Sequence, residues 1–124
     1  MSALEGVRVV DLTGDPGRFA TKLLTEFGAD VVQVTDNGSP GRSMNLVDGG
    51  VLDWWLDGGK QRHIIDLDTD AGRDSYRLLA SNADVIVETE IPGRLTELGI
   101  DHPDLLTLNP HLVQVSITPF GRTG

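Results

Sequence analysis

The sequence predicts an α/β fold: an open, mainly parallel sheet of about five strands with helices on both faces. Three observations point there. Residues 7–34 read as strand, helix and strand, and about 30 residues is the length of a βαβ unit, whose strands pair in parallel through a right-handed crossover. The runs Asp84-Val-Ile-Val-Glu88 and Leu112-Val-Gln-Val-Ser-Ile117 have the near-continuous apolar, β-branched character of buried parallel strands. Amphipathic segments alternate with such runs along the chain, without internal repeat or low-complexity stretch.

Each element has its own signal. Val7-Arg-Val-Val-Asp-Leu-Thr13 is the first strand. In the helix that follows, Phe19, Ala20, Leu23, Leu24 and Phe27 recur at steps of three and four and so share one face. Pro16 and Gly17 precede that face, where a helix tolerates proline in its first turn, and Gly28 stands where a left-handed cap ends the helix. Residues 28–34 form the second strand and His63-Ile-Ile-Asp-Leu67 the third. Thr69 is placed to cap a helix running through Tyr76, Leu79 and Ala80. Residues 84–88 are the fourth strand, followed by a short helix between Pro92 and Gly99. Asp101 caps a second short helix with Pro103 in its first turn, and residues 112–117 are the fifth strand.

Composition narrows the function classes. A chain of 124 residues with 39% hydrophobic and 23% charged residues has the make-up of one globular domain, here read as residues 1–124. No apolar run reaches the ~20 residues a membrane helix needs. The absence of cysteine removes thiol catalysis, disulfides and cysteine metal sites, and a cytoplasmic location is expected. Ten basic against nineteen acidic residues give a net charge of −9, which disfavours nucleic acid and anionic membrane as partners. His63, His102 and His111 lack metal-ligand spacing, so no metal site is expected. No Gly-x-Gly-x-x-Gly follows the first strand, which leaves dinucleotide binding without support.

Open parallel sheets bind ligands at the carboxyl ends of their strands, which directs attention to residues 13–18. The turn from Thr13 to Gly17 has backbone N–H groups to offer a phosphate, although Asp15 opposes an anion there. Arg18 either reaches a bound anion or lies exposed, since the helix dipole gives a cation no reason to sit at this end. Lys60 and Arg62, cations just before a strand, either grip a phosphate or are solvated loop charges. The glycine-rich stretch 36–60 carries Trp54 and Trp55 without a sustained period. Loops of this length are usually functional or poorly ordered. Two readings stand: a loop pinned by tryptophan burial, or a lid or partner-binding surface.

The order and wording of these segments resemble the amino-terminal part of family III CoA-transferases, the CaiB/BaiF family, which includes α-methylacyl-CoA racemase. The resemblance runs from Leu4-Glu-Gly-Val-Arg-Val-Val-Asp-Leu-Thr13 to Ser116-Ile-Thr-Pro-Phe-Gly-Arg-Thr-Gly124. Between these ends, Gly17-Arg-Phe-Ala-Thr21, Phe27-Gly-Ala-Asp-Val-Val-Gln-Val34, Gly59-Lys60, Asp66-Leu67, Ala83-Asp-Val-Ile-Val-Glu88, Pro92-Gly93 and Leu108-Asn-Pro-His-Leu-Val113 fall in family order. The resemblance implies a Rossmann-like domain, CoA thioester substrates with no tightly bound cofactor, and a dimer with interlocked subunits. It also implies that the acylated aspartate lies beyond the Phe-Gly-x-x-Gly loop. No residue of residues 1–124 is then catalytic, and Asp11, Asp66 and Asp84 match scaffold positions.

Contact segments depart from the family pattern. Where the family favours Asn-Arg-Gly-Lys-Arg-Ser, this chain has Asp57-Gly-Gly-Lys-Gln-Arg62, and Glu88-Thr-Glu-Ile-Pro-Gly93 replaces Glu-Asn-Phe-Arg-Pro-Gly. Thr35 and Asp36-Asn37 stand in place of an acidic and a basic residue, and Pro119 replaces a loop glycine. Thr13, Lys60 and Arg62 are the expected contacts for the adenosine diphosphate end of CoA. Two functions are compatible with this pattern. One is a CoA-binding-type domain of an acyl-CoA:carboxylate CoA-transferase, inactive by itself. The other is a non-catalytic domain that works through association, as a homodimer or within a larger polypeptide.

Overall fold

Five parallel strands form the sheet: β1 (Arg8–Leu12), β2 (Asp30–Thr35), β3 (Gln61–Ile64), β4 (Val85–Glu88) and β5 (Val113–Ser116). Their order is β3-β2-β1-β4-β5. The structure is a computed structural model and describes residues 3–35, 55 and 58–118. Its regular helices are α1 (Asp15–Glu26), α2 (Asp70–Ser81), α3 (Arg94–Glu97) and α4 (His102–Leu105). Among the described residues no helix is long and apolar enough to cross a membrane. The chain builds outward from β1 through β2 to β3, then returns to place β4 on the other side of β1. Strand order therefore reverses between β1 and β4, and such a switch point opens a crevice at the carboxyl ends of the strands.

Local signals set most boundaries. Thr69 caps α2 by accepting a hydrogen bond from the Gly72 N–H, and Asp101 and Asp104 form a reciprocal capping box on α4. Gly28 has φ 99°, the left-handed conformation its place after α1 demands. β3 differs from expectation: it begins and ends earlier, at Gln61 and Ile64, and all four of its residues are exposed. Ile65 still donates its N–H to Thr35 O of β2 at 2.8 Å and, by strand alternation after exposed Ile64, faces the core. Asp66 then closes a turn by accepting the Asp68 N–H through its carboxylate at 3.0 Å, and Leu67 is buried within it.

The two faces of the sheet carry different layers. α2, α3 and α4 cover one face over an apolar core that includes Val10, Leu12, Val34, Tyr76, Ile86 and Leu105. α1 covers the other, where Val9, Ala29, Val31 and Val87 form a smaller cluster. Here the sequence reading of α1 is corrected. Of the expected face, Leu24 packs against that cluster, but Phe19, Leu23 and Phe27 point outward, 54%, 41% and 55% exposed, while Arg18, Thr21 and Lys22 are buried. The reason lies beneath the helix. A carboxylate on β1, Asp11, is fully buried, and a buried carboxylate must be met by donors. Arg18, expected to be exposed or reaching for an anion, is only 2% exposed.

Candidate functional site

The site at the switch point is organised around Asp11. Its Oδ1 accepts the Thr13 N–H at 3.0 Å and the Thr13 hydroxyl at 2.5 Å. Its Oδ2 accepts the Thr21 hydroxyl and the Lys60 ammonium, both at 2.8 Å. Lys60 also donates to Thr21 Oγ1 at 2.8 Å. One carboxylate thus joins β1, the turn after it, α1 and the segment entering β3. A charged residue inside the run Val-Val-Asp-Leu was the available signal for this hub, because charges are almost never fully buried without a partner.

Around the hub the turn is tightly closed. The Gly14 N–H donates to Thr89 Oγ1 at 2.6 Å and the Gly17 N–H to Gly14 O at 3.1 Å. Pro16 has no N–H, so the start of α1 offers few donors to a phosphate. A Cβ on Gly17 would lie 2.6 Å from Thr13 Cγ2 and 3.0 Å from Thr89 Cγ2. Only glycine lets α1 begin this close to the loops after β1 and β4.

The three residues expected to contact ligand are placed as follows. Thr13 is buried beside Asp11, and Lys60 is turned inward to the same carboxylate. Arg62 is exposed on β3, with its Nε 3.5 Å from Gln33 Oε1. Gln33 pairs with Asp11 across the β1–β2 ladder and with Arg62 across the β2–β3 ladder. All three therefore fall in one region of the α1 face, with Thr13 and Lys60 meeting at Asp11. Trp55 is half-exposed, its ring 6.0 Å from that of Phe19 and 5.3 Å from the Lys22 ammonium. Trp54, residues 36–53 and the Phe120 loop lie outside the described residues.

On the opposite face, at the carboxyl ends of β1, β2 and β3, a crevice of about 170 Å³ is lined by Leu12, Thr35, Ile65, Asp66, Glu90 and Arg94. Sequence reasoning missed Arg94. Its guanidinium lies 3.2 Å from Glu90 and 3.4 Å from Asp68. Burial works against its charge, but these two carboxylates outweigh burial and hold the charged form. Deeper in the same layer, the Tyr76 hydroxyl is fully buried without a hydrogen-bond partner among the described residues. Burial first, then the nearby charges of Glu88, Glu90 and Asp101, push its ionisation well above the ordinary phenol range. Glu88 accepts the Glu90 N–H at 2.8 Å and the Ser116 hydroxyl, fastening the ends of β4 and β5 together.

The model of CoA-transferase family III matches residues 4–124. The chain is 39% identical over 125 residues to the BbsE subunit of succinyl-CoA:(R)-benzylsuccinate CoA-transferase of Thauera aromatica, covering 94% of this chain and 30% of that protein. It is 34% identical over 122 residues to the α-methylacyl-CoA racemase of Mus musculus, covering 98% of this chain and 29% of that one. A crystal structure of a CaiB/BaiF family protein from Brucella suis superposes with a TM-score of 0.85 at 31% identity, over 99% of this chain and 35% of the other. The chain spans about 30% of the length of the curated relatives it matches.

Proposed function

The chain belongs to CoA-transferase family III, and from that premise we propose that it is a CoA-binding-type domain of an acyl-CoA:carboxylate CoA-transferase. The observation that carries this reading is the family match over residues 4–124, joined to a doubly wound parallel sheet whose strand order reverses between β1 and β4. The ligand is a CoA thioester. Its adenosine diphosphate end lies at the carboxyl edge of the sheet near Thr13, Lys60 and Arg62. The domain works in the cytoplasm and transfers no CoA by itself, since the resemblance puts the acylated aspartate outside residues 1–124.

Affinity is weak, because contact segments are altered and a net charge of −9 repels an anionic ligand. Calorimetry with CoA and acyl-CoA tests the binding claim: weak saturable heat supports it, and no heat at millimolar ligand removes it. Turnover above blank with a panel of acyl-CoA donors would overturn the claim of inactivity. A second reading, a domain that works through association, has the exposed Phe19, Leu23 and Phe27 stripe in its favour, since clustered apolar exposure marks interaction surfaces. Sedimentation at rising concentration separates the two: a monomer throughout counts against association between copies of this chain.

A further inference from the structure

The Lys60 ammonium and the Asp11 carboxylate are sealed from solvent, their side chains 1% and 0% exposed. Among the described residues four donors converge on this carboxylate: the Thr13 N–H, the Thr13 and Thr21 hydroxyls, and Lys60. A lysine that reached for a ligand phosphate would have to leave this layer and strand Asp11 as a buried charge. A contact with a solvated phosphate does not offset that cost. Thr21 is also sensitive to Lys60. Its hydroxyl has alternative acceptors in Arg18 O at 3.1 Å and Gly17 O at 3.5 Å, so it can turn away once the ammonium no longer holds it. Asp11 would then keep only the Thr13 contacts on one oxygen and lose its fixed orientation.

We infer that Lys60 and Asp11 are a positioning pair for the turn from Thr13 to Gly17: Lys60 fixes the carboxylate, the carboxylate fixes the turn, and Lys60 itself touches no ligand. Its consequence for binding rests on the reading of this edge of the sheet as a CoA site. The pairing explains why a lysine stands at the entrance of β3 in a segment whose other cation, Arg62, faces outward.

The test is calorimetry with CoA on wild type, Lys60→Met, the double variant Asp11→Asn with Lys60→Met, and the double variant Asp11→Ala with Lys60→Met. Lys60→Met is expected to weaken CoA roughly ten-fold, the lower end of what loss of a supporting partner costs at metal sites, without changing how affinity depends on salt. A direct phosphate contact would instead flatten that dependence, since solvated ion pairs are the ones salt screens. Asparagine keeps an acceptor for Thr13 and leaves no buried charge, so the Asp11→Asn double variant should recover to within about three-fold of wild type, as coupled pairs do. The Asp11→Ala double variant should not recover. This comparison stands even where Lys60→Met fails to fold, because neither double variant carries an unpaired charge. Equal affinity in the two double variants, or a flattened salt dependence in Lys60→Met, overturns the pairing. Amide exchange separates this failure from failure of the CoA reading. If wild type binds no CoA, the functional reading falls. The pair then stands only if exchange at Thr13 and Gly14 quickens in the Asp11→Ala double variant and not in the Asp11→Asn one.

Discussion

The two faces of this sheet solve the burial problem in opposite ways. Under α2, the side chains that meet are Val10, Leu12, Val34, Ile86 and Ala80, and the helix presents its apolar face inward. Under α1, Arg18, Thr21 and Lys22 turn inward beside Leu24, and Phe19, Leu23 and Phe27 of the apolar stripe are exposed. The difference follows from the strand between them. β1 sends Val10 and Leu12 to one side, and Val9 and Asp11 to the other. The buried carboxylate draws Thr21 of α1 inward to meet it, because an unmet charge in a dry layer costs more than an exposed phenylalanine.

The largest effect expected from this comparison is at Asp11. Asp11→Ala leaves Lys60 buried without its counter-charge, and breaking a buried pair from one side costs about 3–5 kcal/mol. On the apolar face, Ile86→Ala removes a fully buried side chain and should cost about 2–5 kcal/mol. The two substitutions overlap in size but differ in cure. Adding Lys60→Met to Asp11→Ala should recover part of the loss in chemical denaturation. No single charge removal should recover Ile86→Ala. If Lys60→Met deepens the Asp11→Ala loss instead, the two faces are not held in different ways.

What the sequence made legible follows the same division. Capping by Thr69 and Asp101, the glycine stop at Gly28 and the β-branched strands are local signals, and the structure places all of them where they were expected. The parallel order of the sheet followed from the alternation of strands and helices. The α1 face was not legible. A stripe of Phe19, Leu23 and Phe27 has the same period whether it points into a core or away from it. Only the donors that Asp11 requires decide between the two, and they come from three separate segments. For the same reason Lys60, read as a ligand contact, meets Asp11 in the interior. The bounds of β3 were not legible because His63-Ile-Ile-Asp-Leu67 reads as one strand, while the turn that Asp66 closes on the Asp68 N–H ends it.

Tyr76 gives a smaller effect and sharpens the apolar side. It is the sole tyrosine of the chain, so tyrosinate absorbance reports it alone. Its ionisation is raised by burial, with Glu88, Glu90 and Asp101 adding to the shift. In the unfolded chain it ionises near pH 10. Above that pH the unfolded state gives up a proton that the folded state keeps, so stability is intact below about pH 10 and falls as pH rises further. Tyr76→Phe should remove this alkaline loss. At neutral pH it should be neutral or mildly stabilising, because the hydroxyl it deletes has no partner among the described residues. A wild-type tyrosine that titrates at its ordinary position with the fold intact would contradict the dry layer around it.

The smallest expected effect is the most discriminating. If Phe19, Leu23 and Phe27 formed the buried face of α1, as their spacing suggests, then Leu23→Gln and Phe27→Gln would each remove core contacts and cost several kcal/mol, in the range of about 2–5 kcal/mol. In the structure both side chains are about half-exposed, and substitutions at such positions usually stay within about 0.5 kcal/mol. Thr21→Val is the counterpart on the inward side. It keeps the side chain's shape but deletes a hydroxyl that meets Asp11 and Lys60 at 2.8 Å, and loss of a hydrogen bond to a charged group costs about 1.5–3 kcal/mol. The expected order in urea denaturation is therefore inverted relative to hydrophobicity: a polar-to-apolar change within α1 destabilises, and an apolar-to-polar change does not. The opposite order would return the phenylalanine stripe to the interior and undo the inward turn of Thr21 toward Asp11.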